Sequence, residues 1–246
     1  MAFKTEGGLV VPAVTAEQMR EVDRIAVDEL GLGILQMMEN AGRNLAQNVI
    51  DMLGGAGPGQ RGGITVLAGA GGNGGGGLCC ARHLHNRGFR VRLVLDREAG
   101  ALRGAAGRQL QILQSAGLKT EVPAASAEAI RGAELVVDAL IGYSLRGAPR
   151  GRAAELIDLC NQHAGRVLSL DVPSGLNATT GEAPGVAIQP ERTLTLALPK
   201  TGLHSVPGDL YLADIGIPPQ LYEQLGLDYD SPFREDYWIP LWSVAP

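Results

Sequence analysis

Residues 64–77 join a short apolar run, ITVLA, to a segment in which seven of the nine residues from Gly69 to Gly77 are glycine. This order predicts a buried strand, a turn and a helix that begins near residue 75. Glycine permits a positive φ and lets the backbone approach a ligand closely, and the free N–H groups at the start of a helix attract anions. The segment therefore predicts an α/β unit that binds a phosphate or a nucleotide at its turn, or else a tight turn without a ligand.

A dinucleotide-binding motif overlaps this segment. Gly69, Gly71 and Gly74 satisfy G-x-G-x-x-G, and Asp96 follows Gly74 by 22 residues, at the end of the next predicted strand. A dinucleotide-binding fold places its ribose carboxylate there. The match favours a nicotinamide dehydrogenase, but any glycine-rich turn can produce it by chance. We rank this function last because no recognisable site for hydride transfer accompanies the motif.

Further apolar runs follow the glycine segment and alternate with helical patterns. The predicted strands after the first one span residues 91–95, 134–140, 166–175, 193–198 and 209–216. Two helices are predicted before the first strand, and Thr15 is the expected N-cap of the earlier one. Such alternation is typical of an α/β fold with a mostly parallel central sheet and helices on both faces.

Composition and charge limit the partners and the location that we expect. The 246 residues carry a formal net charge of −5, which argues against nucleic acid or an anionic membrane as the main partner. No apolar run is long enough to span a bilayer, and the chain does not start with a signal-type segment. Three cysteines without metal-ligand spacing favour a reducing compartment, so we expect a cytoplasmic protein.

The last stretch of the chain differs from the rest in composition. Residues 226–246 hold half of the aromatic side chains, three prolines and little periodicity. One interpretation is a tail that lies over an apolar groove of its own domain. The other is a docking segment for a second subunit or another partner.

Acidic side chains end two of the predicted strands. Asp138 ends ELVVD and Asp171 ends LSLD. Ligands of open α/β sheets bind beyond the carboxyl ends of the strands, so we expect both carboxylates to point toward the glycine segment. Each could instead cap the turn that follows it. With Asn73 and Ser174 they form an oxygen-rich set of the kind that hard cations prefer.

Seven separate stretches resemble the YjeF N-terminal domain family, the NAD(P)H-hydrate epimerases, in the family's order between about residues 14 and 225. They are VTAEQMREVDRIAV, MMENAGRNLA, GAGGNGGGGLCCARHL, VVDALIGYSLRG, LSLDVPSGLNATTG, LALPKTGLH and LADIGIP. The resemblance implies a Rossmann-like three-layer α/β/α sandwich over residues 1–225, followed by the tail. It implies epimerisation of hydrated NADH and NADPH, a separate dehydratase that uses one epimer, and a homodimer.

The resemblance also implies roles for particular residues. It implies a potassium ion held by Asn73, Asp138 and Ser174. Asp171 is our candidate for the catalytic carboxylate, because epimerisation needs a group that transfers a proton and stabilises positive charge. The residues implied for substrate binding are Gly72, Asn73, Gly74, Gly75, Gly76, Gly142, Tyr143, Ser144, Leu145, Arg146, Gly147, Ala148, Asp171 and Lys200.

Two of these side chains can be interpreted in more than one way. Arg146 suits a contact with a phosphate, or it is a solvated surface arginine. Lys200 suits a phosphate contact or proton transfer, or it is a surface lysine after a strand.

The sequence departs from the family pattern within the glycine segment. The family pattern N-N-G-G-D-G is G-N-G-G-G-G here, so Gly72 stands in place of Asn and Gly76 in place of Asp. This loss of two polar side chains favours an alternative function, a non-catalytic binding or scaffold module. Because the family carries side chains at both positions, we expect the backbone to accept Asn at residue 72 and Asp at residue 76.

Overall fold

The computed structural model describes residues 2–55 and 62–244, which form a nine-stranded sheet with helices on both faces. The strands are β1 (Ala2–Lys4), β2 (Val10–Pro12), β3 (Gly63–Ala68), β4 (Val91–Leu95), β5 (Ala133–Ala139), β6 (Val167–Leu170), β7 (Arg192–Leu196), β8 (Asp209–Ala213) and β9 (Trp238–Ser243). The helices are α1 (Ala16–Arg24), α2 (Ile34–Met52), α3 (Gly72–His85), α4 (Gly104–Ser115), α5 (Ser126–Arg131), α6 (Gly151–His163) and α7 (Pro219–Gln224).

The central part of the sheet is parallel. Its strands lie in the order β8-β7-β6-β5-β3-β4, and each neighbouring pair is parallel. This confirms the predicted α/β class and the mostly parallel sheet. The chain order reverses between β3 and β5, and open α/β sheets bind ligands at the carboxyl ends of the strands at such a point.

Alternate side chains of each strand enter different cores. On β3, Val66 joins a core with residues of α2, α3 and α4, whereas Leu67 joins a second core with residues of α5 and α6. Because successive residues of a strand point to opposite faces, the two cores lie on the two sides of the sheet. The predicted three-layer α/β/α sandwich is therefore confirmed.

The antiparallel edge of the sheet was not predicted, and part of the predicted tail 226–246 forms its strand β9. β9 pairs antiparallel with β8 on one side and with β1 on the other, and β1 pairs with β2. Ile239 and Leu241 of β9 are buried. The alternation of buried residues in β9 did not lead to a predicted strand, because Pro240 lies within it and proline argues against a central strand. It is tolerated here since β1 pairs with residues 242 and 243 of β9.

Helix α1 begins at the predicted cap. Thr15 Oγ1 accepts a hydrogen bond from Gln18 N at 3.2 Å, and Gln18 Oε1 accepts one from Thr15 N at 2.9 Å. This reciprocal pair satisfies two N–H groups that the first helical turn leaves free. The helix continues into a π-helical turn at Ile25–Glu29. Within the described residues, no helix has the length and apolarity needed to cross a bilayer.

Candidate active site

A cavity of about 750 Å³ opens at the carboxyl ends of the parallel strands. Segments that follow β3, β4, β5, β6 and β7 form one side of it, and α1 and α2 contribute the other. Of the side chains and glycines that the sequence analysis singled out for substrate binding, those that line it are Gly72, Asn73, Gly76, Gly142, Tyr143, Ser144, Leu145, Arg146, Ala148, Asp171 and Lys200.

The glycine segment is mainly the first turns of α3, which begins at Gly72 and not near residue 75. None of the glycines from 69 to 77 has a positive φ. A Cβ on Gly74 would lie 1.7 Å from the carbonyl oxygen of Gly69. Glycine is therefore required at residue 74 for close packing of the helix start against the turn, and the positive φ that glycine permits is not used here.

Neighbouring glycines of α3 have different surroundings. Gly72 has open space where a Cβ would be, whereas a Cβ on Gly76 would lie 2.8 Å from Cδ2 of Leu170. Leu170 is fully buried, so an aspartate at residue 76 would require it to move. Neither residue has a positive φ, so the backbone allows a side chain at both positions, but at residue 76 it requires the Leu170 side chain to shift. Gly75 lies against Met38, and neither Gly74 nor Gly75 lines the cavity.

Asp138 is completely buried beneath the cavity and does not line it. Its carboxylate accepts hydrogen bonds from Ser174 Oγ at 2.5 Å, Ser174 N at 2.9 Å and Ser169 Oγ at 2.8 Å. Burial raises the pKa of Asp138, and these hydrogen bonds oppose that rise. Asp138 was expected to point toward the glycine segment, but its carboxylate is bound by Ser169 and Ser174 and is not part of the cavity lining.

Asn73 and Ser174 are connected through the start of the loop 142–148. Ser174 Oγ accepts a hydrogen bond from Ile141 N at 2.8 Å. A Cβ on the next residue, Gly142, would lie 3.1 Å from Asn73 Oδ1 and 2.9 Å from Asp171 Oδ2. Among the described residues, the buried Nδ2 of Asn73 has no hydrogen-bond partner. Gly142 therefore leaves room for two polar side chains to approach each other above the sheet.

Asp171 and Lys200 form an ion pair at the floor of the cavity. Their residues are 3% and 0% exposed, so the interpretation of Lys200 as a surface lysine is wrong. Lys200 Nζ also donates to the carbonyl oxygen of Leu196 at 2.8 Å. Asp171 has a φ of +67°, a strained conformation that surrounding structure must hold in place. In this conformation the buried Asp171 lines the ligand space.

The loop 142–148 contacts both walls of the cavity. Tyr143 N donates to Asp171 Oδ2 at 3.0 Å, and Tyr143 Oη donates to Asp23 Oδ2 at 2.5 Å. Arg146 is exposed and lines the cavity, whereas Gly147 does not line it and has a φ of +71°. Tyr143 thus joins a carboxylate from α1 to one that follows β6.

Asp23 lines the cavity but was not predicted as a site residue. Asp23 lies four residues after Met19, which is buried, so both residues are on the same face of α1. A carboxylate on the apolar face of an amphipathic helix was the available signal. The cavity wall also includes apolar side chains from the first two helices that were not predicted as site residues, namely Met19, Val27, Ile34, Met37 and Met38.

Basic side chains line the outer part of the cavity. Arg97 pairs with Asp96, with Nε to Oδ1 and Nη2 to Oδ2 both at 2.9 Å. Arg150 and Arg152 also line the cavity, near Arg146 in the chain. Arginine binds phosphate with good geometry. The Asp171–Lys200 ion pair and Asp23 line the same cavity. The arrangement suits a ligand with phosphates and an uncharged or cationic ring.

Comparisons with known proteins show the family of this chain and support its fold. The model of the family "YjeF-related protein N-terminus" matches residues 34–202. The chain is 49% identical, over 98% of its length and 97% of the relative's, to the NAD(P)H-hydrate epimerase of Dehalogenimonas lykanthroporepellens. It is 32% identical, over 89% of its length and 90% of the relative's, to the NAD(P)H-hydrate epimerase of Rhodopirellula baltica.

One longer relative and one solved structure also resemble this chain. The chain is 38% identical to the bifunctional NAD(P)H-hydrate repair enzyme Nnr of Hyperthermus butylicus, with 87% of this chain but 40% of that protein covered. The crystal structure of yeast ynu0 (YNL200c) superposes with a TM-score of 0.81 at 23% identity and covers 94% of this chain and 100% of the yeast chain, which supports the fold. On the family match and the near full-length relatives, this chain belongs to the family of YjeF-related protein N-terminus domains.

Proposed function

We propose that this protein is an NAD(P)H-hydrate epimerase, an isomerase that interconverts the R and S forms of hydrated NADH and NADPH. The observation that carries the proposal is the 49% identity, over nearly the whole of both chains, to a protein of that name. The buried Asp171–Lys200 pair at the floor of a cavity supports it, because the reaction requires a charged group beside the substrate.

The chemistry of the reaction fits the groups at the floor of the cavity. The hydroxylated carbon of the nicotinamide ring can change its configuration if the ring opens and recloses, or if the hydroxyl leaves and returns. Both routes move protons and pass through a species with positive charge or a polarised carbonyl. Asp171 can accept a proton and stabilise positive charge, and the hydrogen bond from Lys200 Nζ orients this carboxylate.

The nucleotide part of the substrate fits the outer cavity. Gly72 and Asn73 lie at the N-terminus of α3, whose free N–H groups attract phosphate. Arg146 and Arg150 supply positive charge near the same cavity. With the pyrophosphate held there, the nicotinamide ring reaches toward Asp171.

The alternative, a non-catalytic binding or scaffold module, rested on the two glycines at positions 72 and 76. Gly72 faces open space, so the absent side chain leaves the backbone of the site intact. Leu170 occupies the space beside Gly76. The relatives that match nearly the whole chain are named as epimerases, so this alternative is not favoured.

We also propose that Asn73, Asp138 and Ser174 hold a potassium ion. Their amide, carboxylate and hydroxyl oxygens are the hard donors that such a cation prefers, and Asp138 supplies the negative charge. Asn73 Oδ1 lies beside Gly142, and the preceding residue, Ile141, donates its N–H to Ser174 Oγ, so the amide and hydroxyl oxygens approach the same part of the chain. When bound, the ion would supply positive charge that fixes the loop 142–148 above the sheet.

The remaining proposals concern assembly, location and a functional partner. We propose a homodimer, supported by exposed apolar side chains between α1 and α2, among them Leu30 and Ile34. A cytoplasmic location is supported by three buried free cysteines. A separate dehydratase is supported by the bifunctional repair enzymes, of which this chain spans about 40%. Light scattering that gives a monomer mass at micromolar concentration contradicts the homodimer.

A coupled assay tests the epimerase. R-configured hydrated NADH is mixed with excess S-specific dehydratase, and the recovery of NADH absorbance is followed with and without the protein. We expect recovery well above the spontaneous rate with the natural chain and with Asp209→Asn, which alters an exposed aspartate. Asp171→Asn should recover little. A rate with the natural chain equal to the spontaneous rate contradicts the proposed function.

A further inference from the structure

We infer that Asp23 is the proton donor of the epimerisation and acts together with Asp171 from the other end of Tyr143. The inference rests on the proposed function and assigns a role that the sequence resemblance did not give to any residue of α1. It is based on the position of Asp23 in the cavity wall and on the two hydrogen bonds that Tyr143 makes.

Tyr143 fixes the separation of the two carboxylates. Its backbone N–H binds Asp171 Oδ2 at 3.0 Å and its phenol binds Asp23 Oδ2 at 2.5 Å, so one carboxylate lies at each end of this residue. The ring between them lies 5.9 Å from Lys200 Nζ, measured to the ring centroid. A ring-shaped substrate beside Tyr143 can therefore contact one carboxylate on each side.

The charged and titratable groups around Asp23 come from five segments. They are Arg20 on α1, Tyr143 after β5, Asp171 after β6, Lys200 after β7 and Tyr222 on α7. Burial raises the pKa of Asp23, whereas the hydrogen bond from Tyr143 and the charge of Lys200 lower it. Asp171 instead has Lys200 as a direct partner. The two carboxylates thus differ in environment, a pattern that separates an acid from a base.

The proton transfers balance in both routes. For ring opening, Asp171 takes the hydroxyl proton, the bond from the hydroxylated carbon to the ring nitrogen breaks, and Asp23 gives its proton to that nitrogen. The resulting aldehyde rotates and the three steps reverse on its other face, which restores both carboxyl groups. For loss of the hydroxyl, Asp23 protonates the leaving oxygen and takes the proton back when water adds to the other face.

The test compares three variants in the coupled assay across pH. Asp23→Asn removes the donor, Asp28→Asn is a matched control on an exposed aspartate of the same segment, and Tyr143→Phe removes the hydrogen bond alone. Loss of a positioned acid typically costs about 10²–10⁴-fold in kcat. We expect a loss in this range for Asp23→Asn, an unchanged rate for Asp28→Asn, and retained binding of NADP⁺ by calorimetry for all three.

The pH profile separates proton transfer from a structural role. A donor must be protonated, so the natural enzyme should lose activity as the pH rises through the pKa of Asp23, and this limb should be absent in Asp23→Asn. The hydrogen bond from Tyr143 favours the ionised carboxylate, so Tyr143→Phe should move the same limb to higher pH. This shift tests the inference even if Asp23→Asn does not fold.

Three results overturn the inference. Asp23→Asn with the rate and pH profile of Asp28→Asn shows that the donor lies elsewhere while the epimerase function stands. If activity falls at the same pH in Tyr143→Phe as in the natural enzyme, the donor also lies elsewhere while the epimerase function stands. A natural chain that does not exceed the spontaneous rate contradicts the proposed function itself, and the role of Asp23 with it.

Discussion

Lys200 and Asp171 form an ion pair from which water is almost completely excluded. Removing one partner of such a pair leaves an uncompensated buried charge and typically costs about 3–5 kcal/mol. We therefore expect Lys200→Met to lower the free energy of unfolding by an amount in this range, measured by urea denaturation. Lys119→Met, at an exposed position, is the control and should have little effect. The double variant Asp171→Asn with Lys200→Met should recover part of the loss, and an unchanged stability of the single variant contradicts a charged pair.

Gly76 and Leu170 should show coupled effects on stability. Gly76→Ala places a Cβ 2.8 Å from Leu170 Cδ2, and overpacking of this kind costs about 1–3 kcal/mol. In a Leu170→Ala background the same substitution should be close to neutral, because space is free and alanine is the better helix former. Thermal unfolding of the four proteins measures the coupling. Equal costs in both backgrounds would show that the two residues do not compete for space.

Gly72→Asn should be tolerated and should tighten ligand binding. A Cβ at residue 72 meets open space at the edge of the cavity. One additional hydrogen bond contributes about 0.5–1.5 kcal/mol, which corresponds to roughly two- to tenfold in Kd. Calorimetry with NADP⁺ measures the change, and Gly72→Ala controls for the loss of glycine. Weaker binding by the asparagine variant than by the alanine variant would indicate that the cavity has been adapted to a different ligand.

Potassium should stabilise the folded protein through Asn73. A ligand that binds only the folded state adds about 2.7 kcal/mol when its concentration is about 100 times Kd. We expect the unfolding temperature to rise when potassium chloride replaces tetramethylammonium chloride at constant ionic strength. Asn73→Ala should abolish this rise, whereas its stability without potassium should stay near that of the natural chain, because Nδ2 of Asn73 has no partner among the described residues. An equal rise in both proteins argues against this site.

Much of the fold was predictable because its signals are local. The apolar runs of β3 and β5 and the helical patterns between them arise from residues close together in the chain, and their alternation leaves few topologies. The strand-end position of Asp171 places it at the edge where ligands of such a sheet bind. For the same reason Tyr143 and Lys200, which follow other parallel strands, could be expected near it.

Other features depend on contacts between distant parts of the chain. Asp23 and Tyr143 are separated by 120 positions, and periodicity alone places an aspartate on the face of α1 that packs inward without identifying its partner. The space beside Gly76 depends on Leu170, and β9 depends on β8 and β1 for its hydrogen bonds. Local propensity cannot encode these relationships, because side-chain packing and strand pairing form only when the sheet and its two helical layers assemble.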